Sequence, residues 1–288
     1  MRLTPKGNFS KPEVTNWRDG SCPSRRQCRP RLLGVDRSVD VLIAGLELRD
    51  SAFWTLHVRE SKRVRLHRLN ISGDLDFPNN DGIDIDGSSY VTVTDTHVST
   101  ADDALCLKTT SAARPPTRHV LVSNVTLRSR SAAVKLGSES LADMYNITFR
   151  HLRVLDSNRG LAVQLRDYGS VRDVLFQHCH VETRRHEGGW WGGGEPLYVT
   201  ALPRWVGSRV GVASNITFHH VTAEAAGGIV VLAGSPESSL VGIALHNRAQ
   251  GLPWHQELVS LTVRGVECEG VMTQVRQERP DGADAKRF

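Results

Sequence analysis

Three aspartates carry the clearest potential for chemistry in this sequence. Asp81 ends the motif Asn79-Asn80-Asp81, and Asp102 and Asp103 form a pair 21 residues further along the chain. Carboxylates gathered at one site repel one another, so that one can hold a proton while its neighbours are ionised. A protonated acid beside an ionised base is the arrangement needed to hydrolyse a glycosidic bond.

The charge of the chain is distributed in a way that separates this acidic segment from the rest. The 288 residues include 36 Lys and Arg against 31 Asp and Glu, a formal charge of +5. Residues 71–110 hold eight Asp and one Lys, whereas residues 1–70 hold 15 Lys and Arg against seven Asp and Glu. A general basic surface would not be interrupted in this way, so we expect no nucleic-acid partner. No apolar run approaches the roughly 18 residues of a membrane span, so we expect no membrane partner.

The elements that position these residues follow from a repeat of the form apolar, x, apolar, x, x, apolar, x, apolar. Alternation with period two on both sides of a two-residue corner predicts two short strands that meet at a bend. Successive copies begin 23–29 residues apart up to the sixth, and 42 and 45 residues apart thereafter. The copies begin at Val41, Val64, Val91, Val120, Ile147, Val174, Ile216 and Leu261, with a degenerate copy at Val241-Ile243.

A further short strand follows each copy of the repeat. Each unit then holds about three strands and no segment with helical periodicity, which predicts an all-β fold, a single right-handed parallel β-helix. Its coils would stack about 4.8 Å apart around a continuous apolar core. The predicted inward anchors are Trp54-Leu56-Val58, Ile83-Ile85, Leu105-Leu107, Val134-Leu136, Leu161-Val163-Leu165, Leu197-Val199 and Ile229-Val231.

Alignment of the anchors Ile83 and Leu105 places Asp81 and Asp103 at the same position on neighbouring coils, with Asp102 one residue earlier. We therefore predict that the three carboxylates meet on the outer face of this strand stack. Two alternatives stay open: Asn and Asp are common as turn residues in solenoids, and clustered carboxylates can bind calcium. We expect no metal ion and no cofactor.

The domain prediction divides the chain into a polar segment at 1–30, a catalytic β-helix at 31–275 and a polar tail at 276–288. Solenoid ends need caps, and 1–30 shows no obvious one, so we expect the natural chain to extend further at its N-terminus. No apolar signal-peptide core is visible in residues 1–12. Of the five cysteines, two can close a short loop in an oxidising compartment and three read as small core residues: Cys22 and Cys28, then Cys106, Cys179 and Cys268.

The sequence resembles glycoside hydrolase family 28, the polygalacturonase and rhamnogalacturonase group, from about Arg29 to Val231. The resemblance implies a pectin lyase-like solenoid and an extracellular enzyme that hydrolyses a pectin-like polysaccharide with inversion; we expect a monomer. It implies that Asp102 is the general acid and that Asp81 and Asp103 hold and deprotonate the attacking water. The matching stretches are Arg29-Pro30-Arg31-Leu32-Leu33, Asp50 to His57, Asn79-Asn80-Asp81 and Asp102-Asp103.

Two family motifs are replaced. The position of the family histidine is Ala132, and the Arg-x-Lys motif that binds a uronate carboxylate falls on Ala162-Val163-Gln164. This change argues against plain polygalacturonan as the preferred substrate. We predict the following substrate-binding residues, some of which can equally be solvated charges or edge-closing aromatics: Asn79, Lys108, Lys135, Arg159, Arg166, Trp190, Trp191 and Glu195.

The same replacements support other functions. A catalytically impaired carbohydrate-binding β-helix would bind polysaccharide and release no sugar. A structural or adhesive solenoid of the tailspike type would form a stable homotrimer and would need no clustered aspartates.

Overall fold

The computed structural model of the chain describes residues 2–3, 29–246 and 264–269; for 2–3, 246 and 264–269 it describes the backbone alone. Cys22 and Cys28 therefore lie outside the described residues. Within these ranges every regular secondary-structure element is a β-strand. Every pairing between two of these strands is parallel. No helix in the described part of the chain is long and apolar enough to span a membrane.

The strands form two long sheets, and the chain contributes strands to one sheet and then to the other in each turn. The larger sheet has 12 strands and contains both halves of each bent repeat. Its members are β1 (Arg2–Leu3), β3 (Val39–Ala44), β4 (Glu47–Arg49), β6 (Lys62–His67), β7 (Asn70–Ser72), β9 (Ser89–Thr100), β11 (Thr117–Ser129), β13 (Met144–Ser157), β15 (Val171–Arg184), β17 (Ala213–Ala226), β19 (Val241–His246) and β20 (Arg264–Glu269).

The second sheet has eight strands, one from each turn of the solenoid. The chain forms a right-handed parallel β-helix of about eight turns, as the repeat predicts. The members are β2 (Leu33–Asp36), β5 (Leu56–Arg59), β8 (Ile83–Asp86), β10 (Leu105–Thr109), β12 (Ala132–Ser140), β14 (Arg159–Leu165), β16 (Leu197–Ala201) and β18 (Val231–Gly234).

The predicted register of the larger sheet is confirmed over its central coils. Val120 pairs with Val91 on one side and with Ile147 on the other, and Ile147 pairs with Val174. The next coil continues the ladder through Ile216. Because side chains alternate between faces, this register sends one apolar set inward along the whole solenoid.

Both bends of the repeat use left-handed backbone conformations. The second residue of the two-residue corner has a φ near +50° in successive coils, as at Asp95 (52°), Asn124 (56°) and His151 (53°). The residue before the first apolar position of each copy also has a φ near +50°, as at Asn146 (57°) and Asn215 (50°). Asn, Asp and His tolerate this region better than branched residues do, which explains why polar residues recur at the corners.

Aromatic side chains stack through the core at the spacing of the coils. The ring centroids of Phe149 and Phe176 lie 4.8 Å apart, and those of Phe176 and Phe218 lie 4.9 Å apart, with interplanar angles of 8° and 5°. Cys179 packs in the same buried core. The core prediction for Cys106 needs a correction: this residue is buried, but it lies between the inward Leu105 and Leu107, so it faces the outer side of its strand.

The predicted inward anchors of the last strand in the smaller sheet are wrong by one residue. Val199 pairs with Leu232, and the outward Tyr198 pairs with Val231. The inward residues are therefore Val230 and Leu232, which belong to the main core, in place of Ile229 and Val231. A run of four apolar residues from 229 to 232 offers two alternating sets, and period two alone does not choose between them.

The last copies of the repeat are also placed differently from the prediction. Ile243 pairs with Ile216, and Val266 pairs with Ile243. Val266 thus continues the first half of the bent repeat, whereas the pattern beginning at Leu261 assigned it to the second half. The predicted boundaries at 31 and 275 stay predictions.

The stacked phenylalanines provide a test of the fold. Replacing Phe176 by Ala removes the middle ring of the stack and should cost about 3–5 kcal/mol of unfolding free energy, because the surrounding coils cannot close around the cavity. Urea unfolding of the purified chain measures the loss. The matched control is Leu175→Ala on the same strand, where the side chain is only partly buried. Equal losses in the two variants would contradict the proposed core.

Candidate active site

The three aspartates meet at the N-terminal ends of two neighbouring strands of the smaller sheet, β8 and β10, as the register predicts. Leu105 pairs with Ile83, which places Asp103 beside Asp81 on adjacent coils. Oxygens of the carboxylates of Asp81, Asp102 and Asp103 all lie within 4.8 Å of one another, and all three residues are buried. The structure therefore assembles the carboxylate cluster, although a single carboxylate of the three could have been a turn residue.

A buried asparagine holds the turn that carries the Asp102-Asp103 pair. Asn80 accepts hydrogen bonds through Oδ1 from the backbone N–H groups of Ala101 (3.0 Å) and Asp102 (3.1 Å). Its Nδ2 donates to the carbonyl oxygen of Asp74 at 2.7 Å. One amide side chain thus ties the turn before β8 to the turn before β10, which fixes the separation of the two acidic motifs.

The carboxylate of Asp102 accepts two backbone hydrogen bonds. The N–H of Asn79 donates to Oδ2 at 3.1 Å, and the N–H of Asp103 donates to Oδ1 at 3.0 Å. The predicted site residue Asn79 therefore contacts the cluster through its backbone. Its side chain accepts from Arg29, whose Nη2 lies 2.5 Å from Oδ1, while Nη1 donates to the carbonyl oxygen of Pro78.

Lys135 lies against the third carboxylate. Its Nζ is 2.9 Å from Oδ2 of Asp103, and the N–H of Ala132 donates to Oδ1 of the same group at 3.3 Å. Lys135 pairs with Cys106 on the preceding coil and with Ala162 on the following one. Its ammonium group thus reaches across to the preceding coil, where it meets Asp103 just before β10.

Lys108 is buried within a second group of carboxylates. Its Nζ lies 2.8 Å from Oδ1 of Asp84, 3.6 Å from Oδ2 of Asp81 and 3.7 Å from Oε2 of Glu139. The ring of Trp54 covers the ammonium group at 3.8 Å from its centroid, a cation–π contact. Lys108 is thereby committed to protein partners, and its predicted contact with substrate stays a prediction.

An irregularity in β12 brings Glu139 into this group. Leu107 pairs with Leu136 and Thr109 pairs with Ser140, so three residues of β12 stand opposite one residue of β10. Gly137 has a φ of +106°, and a Cβ there would lie 2.1 Å from the carbonyl oxygen of Gln164. The bulge therefore requires glycine at this position, and it re-aims the following side chains.

Burial and mutual repulsion raise the proton affinity of the cluster. Burial raises the pKa of Asp102, the charge of Asp103 raises it further, and the charge of Lys135 opposes both. Burial raises the pKa of Asp81 well above its usual range, and the charge of Asp84 adds to this effect. These shifts favour a proton on one carboxyl beside an ionised neighbour, which is what acid–base catalysis requires.

The predicted cations on later coils have other partners. Arg159 forms an ion pair with Glu195, with Nη2 3.3 Å from Oε1, and its guanidinium carbon lies 3.6 Å from the ring centroid of Tyr198. Arg166 donates to the backbone carbonyl oxygens of Pro203 (3.5 Å) and Arg204 (3.2 Å). Their contact with substrate stays a prediction, as does that of Glu195.

The paired tryptophans lie in the loop that precedes β16, at the same end of the smaller sheet as the aspartates. Trp191 is 41% exposed and Trp190 is partly buried. Asn158 holds the loop, because its Nδ2 donates to the carbonyl oxygens of Trp191 (3.1 Å) and Gly192 (3.2 Å). An exposed ring at the end of the sheet that carries the acids is suited to stack on a sugar.

The cluster also has the donor set of a cation site. Three carboxylate oxygens within 4.8 Å of one another could ligate a divalent ion such as Ca²⁺. Lys135 already compensates the charge of Asp103 from within the protein, and Lys108 does so for Asp84 and Asp81.

Comparison with known proteins identifies the family. The sequence model described as Glycosyl hydrolases family 28 matches residues 5–184, more than half of the chain. The chain is a member of glycoside hydrolase family 28. The family relationship agrees with the acidic motifs at Asp81 and at Asp102-Asp103, both of which lie inside the matched range.

The individual relatives are distant in sequence. The chain is 23% identical over 241 residues to a probable polygalacturonase of Vitis vinifera, which covers 78% of this chain and 48% of that protein. It is 23% identical over 232 residues to an endo-polygalacturonase of Pectobacterium parmentieri, covering 80% of this chain and 54% of that protein. The chain thus spans about half the length of these relatives.

Solved structures of polygalacturonases show the same fold. A polygalacturonase from Erwinia carotovora ssp. carotovora aligns with a TM-score of 0.69 at 21% identity, covering 87% of this chain and 61% of that one. A family 28 exopolygalacturonase from Yersinia enterocolitica aligns with a TM-score of 0.67 at 19% identity, covering 86% of this chain and 49% of that one.

Several residues around the carboxylate cluster were not predicted as site residues from the sequence. Asn80 and Asp84 lie within the recognised acidic segment, so a signal was present for both. The prediction of Trp54 as an inward anchor is wrong: its ring covers the ammonium group of Lys108 and lies outside the main core that holds Leu56 and Val58. Arg29 was part of a matching stretch as well. Glu139 had no such signal, because only the bulge in β12 brings it to Lys108.

The raised pKa of Asp81 predicts a dependence of stability on pH. Because the pKa is higher in the folded chain, ionisation of Asp81 costs stability; the cost is absent below the unfolded value of about 3.9 and grows as the pH rises toward the folded value. Asp81→Asn removes this ionisation. The variant should gain unfolding free energy over the wild type at pH 7.5, and the gain should shrink at pH 4.

Urea unfolding at the two pH values measures the difference. Asp76→Asn is the control, since Asp76 is exposed and its ion pair with Arg130 contributes little. A gain for Asp81→Asn that is larger at pH 4 than at pH 7.5 would contradict the assignment.

Proposed function

We propose that this chain hydrolyses O-glycosidic bonds of a pectin-like polysaccharide by acid–base catalysis with inversion. The observation that carries the proposal is the meeting of Asp81, Asp102 and Asp103 within 4.8 Å, in a chain that belongs to a family of glycosyl hydrolases. The names of the relatives, which include polygalacturonases from plants and bacteria, favour a pectic substrate.

The reaction assigns one role to each carboxyl group. Asp102, in its protonated form, donates its proton to the leaving glycosidic oxygen as the bond to the anomeric carbon breaks. Asp103 takes a proton from a water molecule whose oxygen forms the new bond to that carbon, and Asp81 helps to hold the water. One water is consumed, and the catalytic proton returns to Asp102 from Asp103 through solvent.

The stereochemical outcome is set by where water fits between the carboxyl groups. Inverting enzymes usually separate the two groups by about 6.5–9.5 Å, whereas retaining enzymes place them about 5–5.5 Å apart. Here one oxygen of each of the three carboxylates lies within 4.8 Å of the others, a contact distance that does not by itself choose between the two ranges. We propose inversion from the family resemblance. The anomeric form of the first product tests this proposal. A product that retains the anomeric configuration would mean that one carboxylate acts as a nucleophile.

The proposed substrate also suggests the place of action. Plant cell-wall pectin lies outside cells, so we propose that the protein acts extracellularly, as a monomer on a polymeric substrate. The replaced Arg-x-Lys motif, with buried Ala162 and Gln164 at its positions, favours a substrate other than plain polygalacturonan. A modified pectic polymer, in which neutral sugars accompany galacturonate, fits this change.

A second candidate function rests on the same replacements. The family histidine position holds Ala132, which supplies only a backbone N–H to Asp103. A chain that kept the fold and lost the chemistry would bind polysaccharide without cleaving it. Binding to a pectic polymer without release of reducing sugar, on every member of a glycan panel, would favour this function.

The general acid is the first residue to test. Asp102→Asn removes the transferable proton and keeps the size of the side chain, so kcat should fall by about 10²–10⁴-fold. Reducing-sugar release is measured on homogalacturonan, methyl-esterified pectin, rhamnogalacturonan and xylogalacturonan, with and without EDTA. Circular dichroism checks that the variant is folded.

The control for this experiment is Asp76→Asn, which removes an exposed carboxylate outside the cluster and should leave kcat unchanged. Full activity in Asp102→Asn would disprove the assigned role. Loss of wild-type activity in EDTA, with recovery on added Ca²⁺, would favour the calcium alternative.

The exposed tryptophan of the loop before β16 provides a second test. Trp191→Ala should raise KM about 2- to 10-fold with little change in kcat, because stacking of a ring on a sugar contributes to binding. Trp205→Ala is the control: Trp205 is 65% exposed and lies in the loop that follows β16, at the opposite end of the strand. Equal effects of the two variants on KM would contradict a sugar contact at Trp191.

A further inference from the structure

A strip of aromatic and basic side chains crosses five neighbouring coils on the outside of the larger sheet. It lies near the starts of β6, β9, β11, β13 and β15, which are adjacent in that sheet. Arg118 pairs with Tyr145, and Tyr145 pairs with Arg172, so the strip follows the solenoid axis. The aromatic–cationic strip consists of Lys62, Tyr90, Arg118, His119, Tyr145 and Arg172.

The rings of the strip contact one another from coil to coil. The ring centroids of Tyr90 and His119 lie 4.6 Å apart with an interplanar angle of 16°, and those of His119 and Tyr145 lie 6.1 Å apart. Asn146 donates through Nδ2 to Nδ1 of His119 at 2.8 Å, which orients the middle ring. Tyr90 is 45% exposed. The rings therefore form an ordered aromatic surface in contact with water, which is suited to stack on the apolar faces of sugars.

The cations of the strip flank these rings. The guanidinium carbon of Arg172 lies 4.0 Å from the ring centroid of Tyr145. The Nζ of Lys62 and the guanidinium carbon of Arg118 lie 5.7 Å and 6.0 Å from the centroid of Tyr90. Such contacts hold long basic side chains beside an aromatic plane, so a ligand on the rings would meet positive charge at the same time.

The surroundings of the strip favour a negatively charged ligand. In the coils from β3 to β17, its two residue columns contain four basic residues against two acidic ones. The acids are Asp40 and Asp173, and each forms an ion pair with an arginine of the same columns, Arg63 and Arg172 respectively. The surface thus keeps a positive net charge.

The spacing of the strip suits a linear polymer. Lys62, Arg118 and Arg172 stand on every second coil, and Tyr90 and Tyr145 stand on the coils between them. At about 4.8 Å per coil, the cations are roughly 10 Å apart along the backbone ladder and the strip is about 19 Å long. An acidic polysaccharide that runs along the solenoid axis would meet rings and positive charges in alternation.

The strip lies on a different surface from the aspartate cluster. The aspartates stand at the N-terminal ends of β8 and β10 in the smaller sheet, whereas the strip belongs to the larger sheet. The whole of β8 separates Asp81 from Tyr90 along the chain. A polymer on the strip would therefore leave the cluster accessible.

We propose that the aromatic–cationic strip is a second binding surface, which holds an acidic pectic polysaccharide while the aspartate cluster acts on the same polymer. The class of polymer rests on the hydrolytic function proposed above. The rings favour a sugar polymer over other polyanions, and the net charge favours a polymer with carboxylates. Bound here, the enzyme would stay on its substrate between cleavage events.

Removal of the positive charges is the first test. Lys62→Ser, Arg118→Ser and Arg172→Ser are combined, because serine already occupies the same column at Ser89 and Ser214. The Kd for polygalacturonate and for xylogalacturonan should rise at least about fivefold. Binding of the parent protein should also weaken as NaCl is added, since salt screens exposed charges.

Affinity electrophoresis in gels that contain the polymer measures the Kd. All proteins carry Asp102→Asn, so that the polymer stays intact during the run, and circular dichroism checks their folding. The exposed ring is tested separately by Tyr90→Asn. Asparagine occupies the same position at Asn146 and Asn215 and tolerates the left-handed backbone there, where Tyr90 has a φ of 57°. The Kd should rise about two- to fivefold.

The matched control removes three other exposed cations from the same sheet. Arg68→Asn, Arg150→Ser and Arg153→Thr change the net charge by the same amount, outside the strip. The Kd should stay within about twofold of the parent value. An equal loss of affinity in the control and in the triple serine variant would overturn the proposal, because net charge alone would then explain binding.

Two other results would overturn it. One is an unchanged Kd in the folded triple serine variant. The other is tighter binding of the parent protein to double-stranded DNA than to either polymer, with the serine variant losing the DNA, which would assign the strip to nucleic acid. If the wild type cleaves no member of the glycan panel and the strip variants still lose affinity, the hydrolytic function fails and the binding surface stands. If the wild type cleaves these polymers and the strip variants bind them as the parent does, only the binding surface fails.

Discussion

The in-register stacking of coils is the constraint on which the rest of this structure depends. Each turn of the solenoid places the same strand position about 4.8 Å from its counterpart on the next turn. Residues two before the first inward anchor therefore line up, and this column contains Asp81 and Asp103. The distance between two catalytic candidates is thus set by backbone hydrogen bonds between strands, which are among the most rigid elements available to a protein.

Compensation of buried charge is the second constraint. Gathering Asp81, Asp84, Asp102 and Asp103 away from water is unfavourable, and the chain offsets the cost with Lys108 and Lys135. These lysines leave the cluster with fewer positive than negative groups, so proton affinity rises. The burial that lowers stability also raises the pKa values of Asp81 and Asp102, and perturbed carboxyl groups of this kind are common at functional sites.

Much of the fold was predictable because period-two alternation with a fixed corner repeats through the chain. The register of the central coils followed from positions such as Val91 and Val120. The prediction was wrong where the pattern was degenerate. The apolar run from 229 to 232 supports two registers. The copy beginning at Leu261 assigned Val266 to the second half of the bent repeat, whereas pairing places it in the first half. Local sequence cannot choose between equivalent registers, because the choice depends on pairing with the neighbouring coil.

The sequence by itself determined the repeat, the position of the acidic motifs within it and, from these, the meeting of Asp81 and Asp103. Only the tertiary structure decided the partners of the charged residues. The sequence favoured Lys108 and Lys135 as substrate contacts, yet their ammonium groups are bound to carboxylates about one coil away along the chain. Such long side chains can reach several neighbours, and the bulge at Gly137 that brings in Glu139 exists only when β12 is paired. Spacing fixes where a backbone position lies, whereas packing fixes which charge a flexible side chain meets.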